Sequence, residues 1–136
     1  MDEFPIILFA YGTLMKGYTY HYAMKTCTFL GKGKTVQKYA MYVENYPFIT
    51  SNHAISEILG EIYEVPDAET LERIDQIEGH PHEYERRVVE VLLEGQDTPI
   101  LTHLYFNDRI EINGEGVQEV PSGNFHESSI ASARRV

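Results

Sequence analysis

Hydrophobic residues occur along this chain in short runs, and most runs have the length of a β-strand. The first run, residues 4–10, is apolar almost throughout, which predicts a buried strand. Residues 35–43 and 56–65 are also predicted as strands, and the second alternates partly between apolar and polar positions. By contrast, residues 17–27 fit either a short helix or an irregular loop.

The hydrophobic pattern in the second half of the chain predicts a β-hairpin, and no clear pattern follows it. Strands are expected at residues 84–93 and 99–106, joined by a turn at Gly95-Gln96-Asp97. Beyond Asn107 the signals weaken, and residues 128–136 are expected to be frayed.

One helix is clearly indicated between the two groups of strands. Its apolar positions recur every three residues and form one face: Ala68, Leu71, Ile74 and Ile77. Asp67 is a good N-cap and Gly79 a natural C-terminal stop. Many strands with one helix predict a mainly antiparallel α+β domain, for which a small barrel is one arrangement.

Composition narrows the class of protein. A chain of 136 residues with 43% hydrophobic content should form a single domain around one core. Its formal net charge of -10 argues against a nucleic-acid or anionic-membrane partner, since either needs a basic face. Cys27 is the single cysteine, so no internal disulfide is possible, which is typical of a reducing compartment.

Nothing near the start predicts a membrane anchor or an export signal. The apolar run at residues 4–10 is too short to span a bilayer. Asp2 and Glu3 precede it, whereas a signal peptide begins with basic residues. We therefore expect a cytoplasmic protein, and the sequence does not indicate its oligomeric state.

The first candidate site is the turn after the first strand, Tyr11-Gly12-Thr13-Leu14. Gly12 permits unusual backbone angles and close approach of a ligand, and Thr13 adds a hydroxyl beside unpaired N–H groups. Such a turn is suited to holding a small anion or a carbonyl group. An ordinary strand-ending turn explains the same residues equally well.

Glu78 is the carboxylate of most interest. It ends the predicted helix, where the helix dipole disfavours an anion, and burial in an apolar pocket would raise its pKa further. A raised pKa makes a glutamate usable as a general acid or base near neutral pH. A solvated surface glutamate is the alternative, and position alone favours it.

Other motifs are weaker. Tyr84 and Arg86 share one face of a strand and could line a cleft, or they could be a core residue and a surface charge. His80 and His82 supply only half a metal site, so no metal is predicted. The run Gly31-Lys32-Gly33-Lys34-Thr35 lacks the first glycine of a phosphate loop and is predicted as a polar turn.

Several short motifs occur together in an order that resembles the gamma-glutamylcyclotransferase-like family. That family includes the avirulence-induced-gene-like proteins and the gamma-glutamylamine cyclotransferases. The matching segments are Tyr11-Gly12-Thr13-Leu14, Tyr46-Pro47, Leu59-Gly60-Glu61-Ile62-Tyr63, Glu78-Gly79 and Tyr84-x-Arg86. Ser122-Gly123-Asn124-Phe125 is similar to the family's Ser-Gly-Asp-Trp element but altered.

The resemblance implies a small mixed barrel flanked by helices, with residues 11–14 binding a glutamyl or 5-oxoproline group and Glu78 as the catalytic acid/base. The implied reaction releases 5-oxoproline from a small γ-glutamyl amine or peptide when the substrate's own α-amine attacks its side-chain carbonyl. Such a reaction needs no cofactor. Two alternatives are a ligand-binding module without turnover and a related enzyme that deprotects a γ-glutamylated metabolite.

Overall fold

The computed structural model describes residues 3–136, so Met1 and Asp2 of the predicted domain lie outside the described residues. The strands are β1 (Ile6–Ala10), β2 (Thr28–Thr35), β3 (Ala40–Val43), β4 (Pro47–Thr50), β5 (Leu59–Val65), β6 (Glu85–Leu93), β7 (Ile100–Phe106) and β8 (Gln118–Glu119). The α-helix is α1 (Ala68–Glu78), and short 3₁₀ helices span His21–Met24, Phe125–Glu127 and Ser132–Arg134.

Five strands form a closed barrel in the order β1-β5-β2-β6-β7. Neighbouring strands are antiparallel except where β1 and β7 close the barrel in parallel, with Leu8 opposite His103. The predicted α+β class and mainly antiparallel barrel are therefore confirmed. Because closure leaves no free edge, every barrel strand is paired on both sides.

The predicted turn at residues 31–35 is wrong, because these residues lie inside β2. Gly31 sits at a bulge in the pairing with β5 and has a φ of 144°. A Cβ at Gly33 would lie 2.6 Å from Cδ1 of Ile62 and 2.7 Å from the carbonyl oxygen of Leu92. The glycines are thus needed because the strands pack closely at this point. In the sequence alone, the same glycines resemble those of a turn.

The strand predicted at residues 35–43 is also divided. Barrel strand β2 ends at Thr35, and β3 begins only at Ala40. β3 is the central strand of a second sheet, ordered β4-β3-β8. The sequence predicted neither this sheet nor β4. The sheet lies against the barrel where the N–H of Asn107 donates to the carbonyl of Ile49 at 2.8 Å.

Helix α1 begins and ends where its capping residues predict. The Asp67 side chain accepts the N–H of Thr70 at 2.9 Å, and Gly79 adopts the left-handed conformation with φ 68°. Leu71 and Ile74 are buried in the main core. The apolar face therefore fixes the helix to the barrel, and its last residue, Glu78, takes a defined position.

The sequence favours a frayed C-terminal segment, whereas the structure joins it to the loop after β1. Both the N–H and the hydroxyl of Thr19 donate to the carbonyl of Arg134, at 2.9 and 2.8 Å. The N–H of Val136 donates to the carbonyl of Gly17 at 3.1 Å. Within residues 3–136, no helix is long and apolar enough to cross a membrane.

Candidate functional site

A cavity of about 200 Å³ lies at the end of the barrel where β1 stops. It brings together the turn at residues 11–14, Glu78 and Tyr84, three parts of the chain that the sequence singled out separately. Its lining residues are Phe9, Ala10, Tyr11, Gly12, Thr13, Leu14, Tyr20, Tyr46, Pro47, Ile77, Glu78, Glu83, Tyr84 and Tyr105.

The turn at residues 11–14 presents unused hydrogen-bond donors to this cavity. The N–H of Met15 donates to the carbonyl of Gly12 at 3.0 Å and closes the turn. The N–H groups of Gly12, Thr13 and Leu14 donate to no protein atom among residues 3–136, and the Thr13 hydroxyl is equally unpaired there. Unpaired N–H groups in a turn that lines a cavity can hold a carboxylate or a developing oxyanion.

Gly12 is required for a reason other than the one its sequence suggests. Its φ is not among the positive values found in the described residues, so it needs no special backbone angle. Instead, a Cβ at this position would lie 2.5 Å from Cγ of Pro47. The glycine therefore allows the turn to pack directly against the first residue of β4.

Tyr11 anchors the start of the turn. Its side chain is buried, and its hydroxyl donates to the carbonyl of Tyr105 at 2.9 Å. Burial, reinforced by neighbouring Tyr84 and Glu78, raises the pKa of Tyr11 well above its usual value. The phenol is consequently a neutral, fixed wall of the cavity and not a proton acceptor at neutral pH.

Glu78 has the electrostatic character of a general acid or base. Its residue is half-buried at the end of α1, where it lines the cavity. Burial raises the pKa of its carboxyl to about 8, and the nearby carboxylates of Asp75 and Glu83 contribute to the rise. At neutral pH both protonation states are accessible, as proton transfer in either direction requires.

Asp75, which the sequence did not single out, supports Glu78 from one helical turn earlier. Its carboxylate accepts the hydroxyl of Tyr105 at 2.5 Å and the guanidinium of Arg86 at 3.0 and 3.3 Å. Both side chains of the ion pair are largely buried, with 12% of Arg86 and 18% of Asp75 exposed. The pair thus fixes the end of α1 to β6 and β7.

Tyr84 and Arg86 have different positions with respect to the cavity. Tyr84, just before β6, lines the cavity, and its hydroxyl donates to the carbonyl of Pro47 at 2.6 Å. Arg86 is not among the lining residues. Besides Asp75, its guanidinium donates to Nδ1 of His103 at 2.7 Å.

Two tyrosines that were not predicted as site residues, Tyr20 and Tyr46, line the cavity. The hydroxyls of Tyr20 and Tyr46 are 3.4 Å apart, and the guanidinium of Arg134 lies 4.8 Å from the ring centre of Tyr46. Tyr46 precedes Pro47 in a motif that the family resemblance had marked. No comparable signal identified Tyr20 within the ambiguous segment at residues 17–27.

The remaining candidates have other surroundings. Nδ1 of His80 accepts the backbone N–H of Arg86 at 3.0 Å, and the carbonyl of His82 accepts from Arg109. Among residues 3–136, no three His, Cys, Asp or Glu side chains are grouped as metal ligands would be. Cys27 is half-buried, and burial together with the charge of Asp67 raises the pKa of its thiol to about 11.

The chain is similar in sequence to a known protein family and to several named proteins. The family profile described as "Gamma-glutamyl cyclotransferase, AIG2-like" matches residues 8–127. A Methanocaldococcus jannaschii protein named "Putative gamma-glutamylcyclotransferase MJ1514" is 48% identical over 100 residues, covering 73% of this chain and 82% of that protein. The rat protein named "Gamma-glutamylaminecyclotransferase" is 33% identical over 96 residues, covering 62% of each.

Solved structures share the fold. An uncharacterized protein from Pyrococcus horikoshii, 31% identical, superposes with a TM-score of 0.67 over 90% of this chain and 91% of its own. A mouse AIG2-like protein, 22% identical, gives the same TM-score over 90% of this chain and 99% of its own. The second likeness concerns the fold alone.

Proposed function

The chain belongs to the gamma-glutamyl cyclotransferase, AIG2-like family, and on this premise we propose that it releases 5-oxoproline from a small γ-glutamyl amine or γ-glutamyl peptide. The observation that carries the proposal is the shared cavity. There, a carboxylate whose pKa is raised to about 8 lies with the unpaired N–H groups of Gly12, Thr13 and Leu14.

The turn at residues 11–14 positions the substrate in this proposal. Its N–H groups bind the substrate's carboxylate or the oxygen of the γ-carbonyl, which becomes negative when the carbonyl carbon is attacked. A cavity of about 200 Å³ is small enough to hold a γ-glutamyl group in a folded conformation. Holding the α-nitrogen close to the γ-carbonyl supplies much of the rate of an intramolecular reaction.

Glu78 moves the protons. Its carboxylate first accepts a proton from the substrate's α-ammonium. The freed amine then attacks the γ-carbonyl carbon and forms the ring. As the bond from that carbon to the departing nitrogen breaks, Glu78 returns the proton to this nitrogen. A second proton leaves the ring nitrogen and is acquired by the released amine, so no external acid or base is consumed.

The proposal is tested by measuring 5-oxoproline release from γ-glutamyl amines and γ-glutamyl dipeptides with different leaving groups. We expect turnover of at least one, and loss of about 10²–10⁴-fold in Glu78→Gln, because glutamine cannot carry the proton. Glu83→Gln is the matched control, since Glu83 lines the same cavity. It should keep most of the activity.

Two outcomes would overturn parts of this proposal. Full activity in Glu78→Gln would exclude the proton-transfer role while leaving the reaction in place. Saturable binding of 5-oxoproline in the cavity without turnover of any γ-glutamyl compound would instead support a ligand-binding module.

A further inference from the structure

A second and larger cavity, of about 570 Å³, lies over β2, β5 and the end of β6. It shares no lining residue with the first cavity. The 3₁₀ helix at Phe125–Glu127 contributes His126 to its wall, and Asn124 lines it just before that helix. Its volume lies within the range typical of small-molecule sites, so we call it the second groove and ask what it would bind.

A buried carboxylate opens onto the second groove. Glu61 is only 8% exposed, and its Oε1 accepts the N–H of Lys16 at 2.9 Å and the hydroxyl of Tyr63 at 2.8 Å. Its Oε2 has no hydrogen-bond partner among residues 3–136. A carboxylate with one oxygen fully used and the other unpaired at a cavity wall favours a cationic or hydrogen-bond-donating ligand.

Strand β2 contributes positive charge to the second groove, opposite in sign to the charge of Glu61. Lys32 and Lys34 are two residues apart and therefore on one face of the strand. Lys34 pairs with Glu57 at 3.5 Å, whereas Lys32 makes no ion pair with any residue between 3 and 136. Lys32 is thus available to bind an anionic group.

Lys32 lies directly opposite Glu61 in the pairing of β2 with β5, and both charges act on His126. Burial lowers its pKa, as do Arg135 and Lys32, while Glu61 opposes the change. Nδ1 of His126 lies 2.6 Å from the hydroxyl of Tyr18. The imidazole is therefore neutral near pH 7 and contributes a polar but uncharged part of the groove wall.

The charged residues around the second groove balance one another, although the whole chain is strongly acidic. Two lysines and two glutamates line it, namely Lys32, Lys34, Glu61 and Glu94. Amide groups of Gln96 and Asn124 and the apolar side chains of Met15, Leu59 and Leu92 complete the wall. A ligand complementary to this wall carries one positive group, one negative group and an apolar portion.

We propose that the second groove binds a small zwitterion of the amino-acid or short-peptide class, with its ammonium group on Glu61, its carboxylate facing Lys32 and an apolar side chain between Leu59 and Leu92. This site is independent of the reaction assigned to Glu78. It shares no lining residue with the first cavity, although Glu61 accepts the N–H of Lys16, which follows the turn at residues 11–14, and lies opposite Ala10 in the pairing of β1 with β5.

Three matched peptides test the charge requirement in the full chain. L-alanyl-L-leucine carries both charges, N-acetyl-L-alanyl-L-leucine lacks the ammonium group, and L-alanyl-L-leucinamide lacks the carboxylate. We expect saturable shifts of the backbone amide resonances of Gly33, Gly95 and Asn124 with the first peptide. Each capped peptide should bind roughly tenfold more weakly or worse, because it loses one charged hydrogen bond.

Substitutions test which residue recognises which group. Lys32→Gln should weaken alanyl-leucine binding roughly tenfold and leave alanyl-leucinamide unaffected. Glu61→Gln should weaken both of these, while its amide oxygen still accepts from Lys16. Lys38→Gln, at an exposed lysine outside the groove, is the matched control and should bind like the wild type.

Glu78→Gln separates this site from the first cavity, because it should leave alanyl-leucine binding intact. Equal affinity for all three peptides would overturn the proposal, as would shifts confined to residues 11–14 and 78. Absence of any saturable shift would overturn it as well. Because Lys32 is exposed, its substitution is informative even if Glu61→Gln fails to fold.

Discussion

Gly12 and Pro47 are in such close contact that a single methyl group on Gly12 would lie 2.5 Å from the proline ring. This contact joins the turn after the first barrel strand to β4, an edge strand of the smaller sheet. The distance is well below any normal carbon–carbon contact, so the turn keeps its position only while residue 12 has no side chain.

Gly12→Ala should therefore displace the turn and lower the free energy of unfolding by roughly 1–3 kcal/mol. Activity should fall more than stability, because the N–H groups of residues 12–14 move with the turn. Denaturant unfolding and 5-oxoproline release measure the two effects. In a Pro47→Ala background the colliding Cγ is absent, and Gly12→Ala should then cost clearly less. Equal costs in both backgrounds would contradict this explanation.

The charge of Asp75 should shift the pH dependence of activity, which burial of Glu78 mainly determines. In the wild type, kcat/KM should rise with pH and reach half its plateau near pH 8, because Glu78 must be unprotonated to accept a proton. Asp75→Asn removes a nearby negative charge, so the midpoint should move to lower pH. It also breaks the largely buried pair with Arg86, which should lower stability by about 1–3 kcal/mol.

Glu83→Gln is the useful comparison for that experiment. Glu83 also raises the pKa of Glu78, but it has a smaller effect than Asp75. Its substitution should move the midpoint in the same direction by a smaller amount. A midpoint that rises in either variant would contradict the proposed electrostatic coupling.

Glu78 should reduce stability at high pH. Its folded-state pKa of about 8 lies above the ordinary value of 4.5, so the folded state holds a proton that the unfolded chain releases. The stabilisation from that proton is complete below pH 4.5 and is lost as pH rises through 8. Glu78→Gln should therefore exceed the wild type in free energy of unfolding above pH 8, by about 2–4 kcal/mol.

The difference between Glu78→Gln and the wild type should shrink as the pH falls toward 4.5. Denaturant titrations at several pH values provide the measurement. Glu72→Gln, at an exposed position on the same helix, controls for removal of a helical carboxylate. A difference that stays constant with pH would contradict the raised pKa.

Asp108 should contribute stability with the opposite pH dependence. Burial alone would raise its pKa, but hydrogen bonds from Ser51, Arg87 and Thr50 outweigh it and lower the pKa to about 2. The oxygens accept from the Ser51 N–H at 2.7 Å and from Arg87 at 2.8 Å. The resulting stabilisation is present above pH 3.8 and is lost as pH falls through about 2.

Asp108→Asn should consequently lower the free energy of unfolding at pH 7 by roughly 1–2 kcal/mol. The deficit should diminish below pH 4, which urea titrations in acid can follow. Asp97→Asn, at an exposed aspartate in the loop between β6 and β7, should show no such loss at pH 7. A deficit that persists unchanged at pH 2 would contradict the assigned role.

Local chemistry made some elements predictable. The limits of α1 follow from Asp67 and Gly79, whose capping interactions involve residues only three or four positions away. The glycines of β2 were misleading because their reason lies far along the chain, in the contact of Gly33 with Ile62. A sequence shows that a glycine is present but not which distant atom requires it.

The residues of the candidate site likewise fall into those that the sequence indicated and those that depend on distant contacts. Glu78 and the turn at residues 11–14 were marked by their own residue types and by the family resemblance. Asp75 was not, because its importance comes from contacts with Arg86 and Tyr105, 11 and 30 residues away. The cavity itself, and the second groove beside Glu61, exist only once the barrel has closed.

The first cavity is walled by parts of the chain that also hold the domain together. The turn after β1, the end of α1, the start of β4 and the segment before β6 each contribute a side. A bound acid would therefore contact both sheets and the helix at once, and no one of these parts could unfold while the ligand stays bound. Ligand binding should then raise the melting temperature of the whole domain. Calorimetry can therefore screen for substrates without following any reaction.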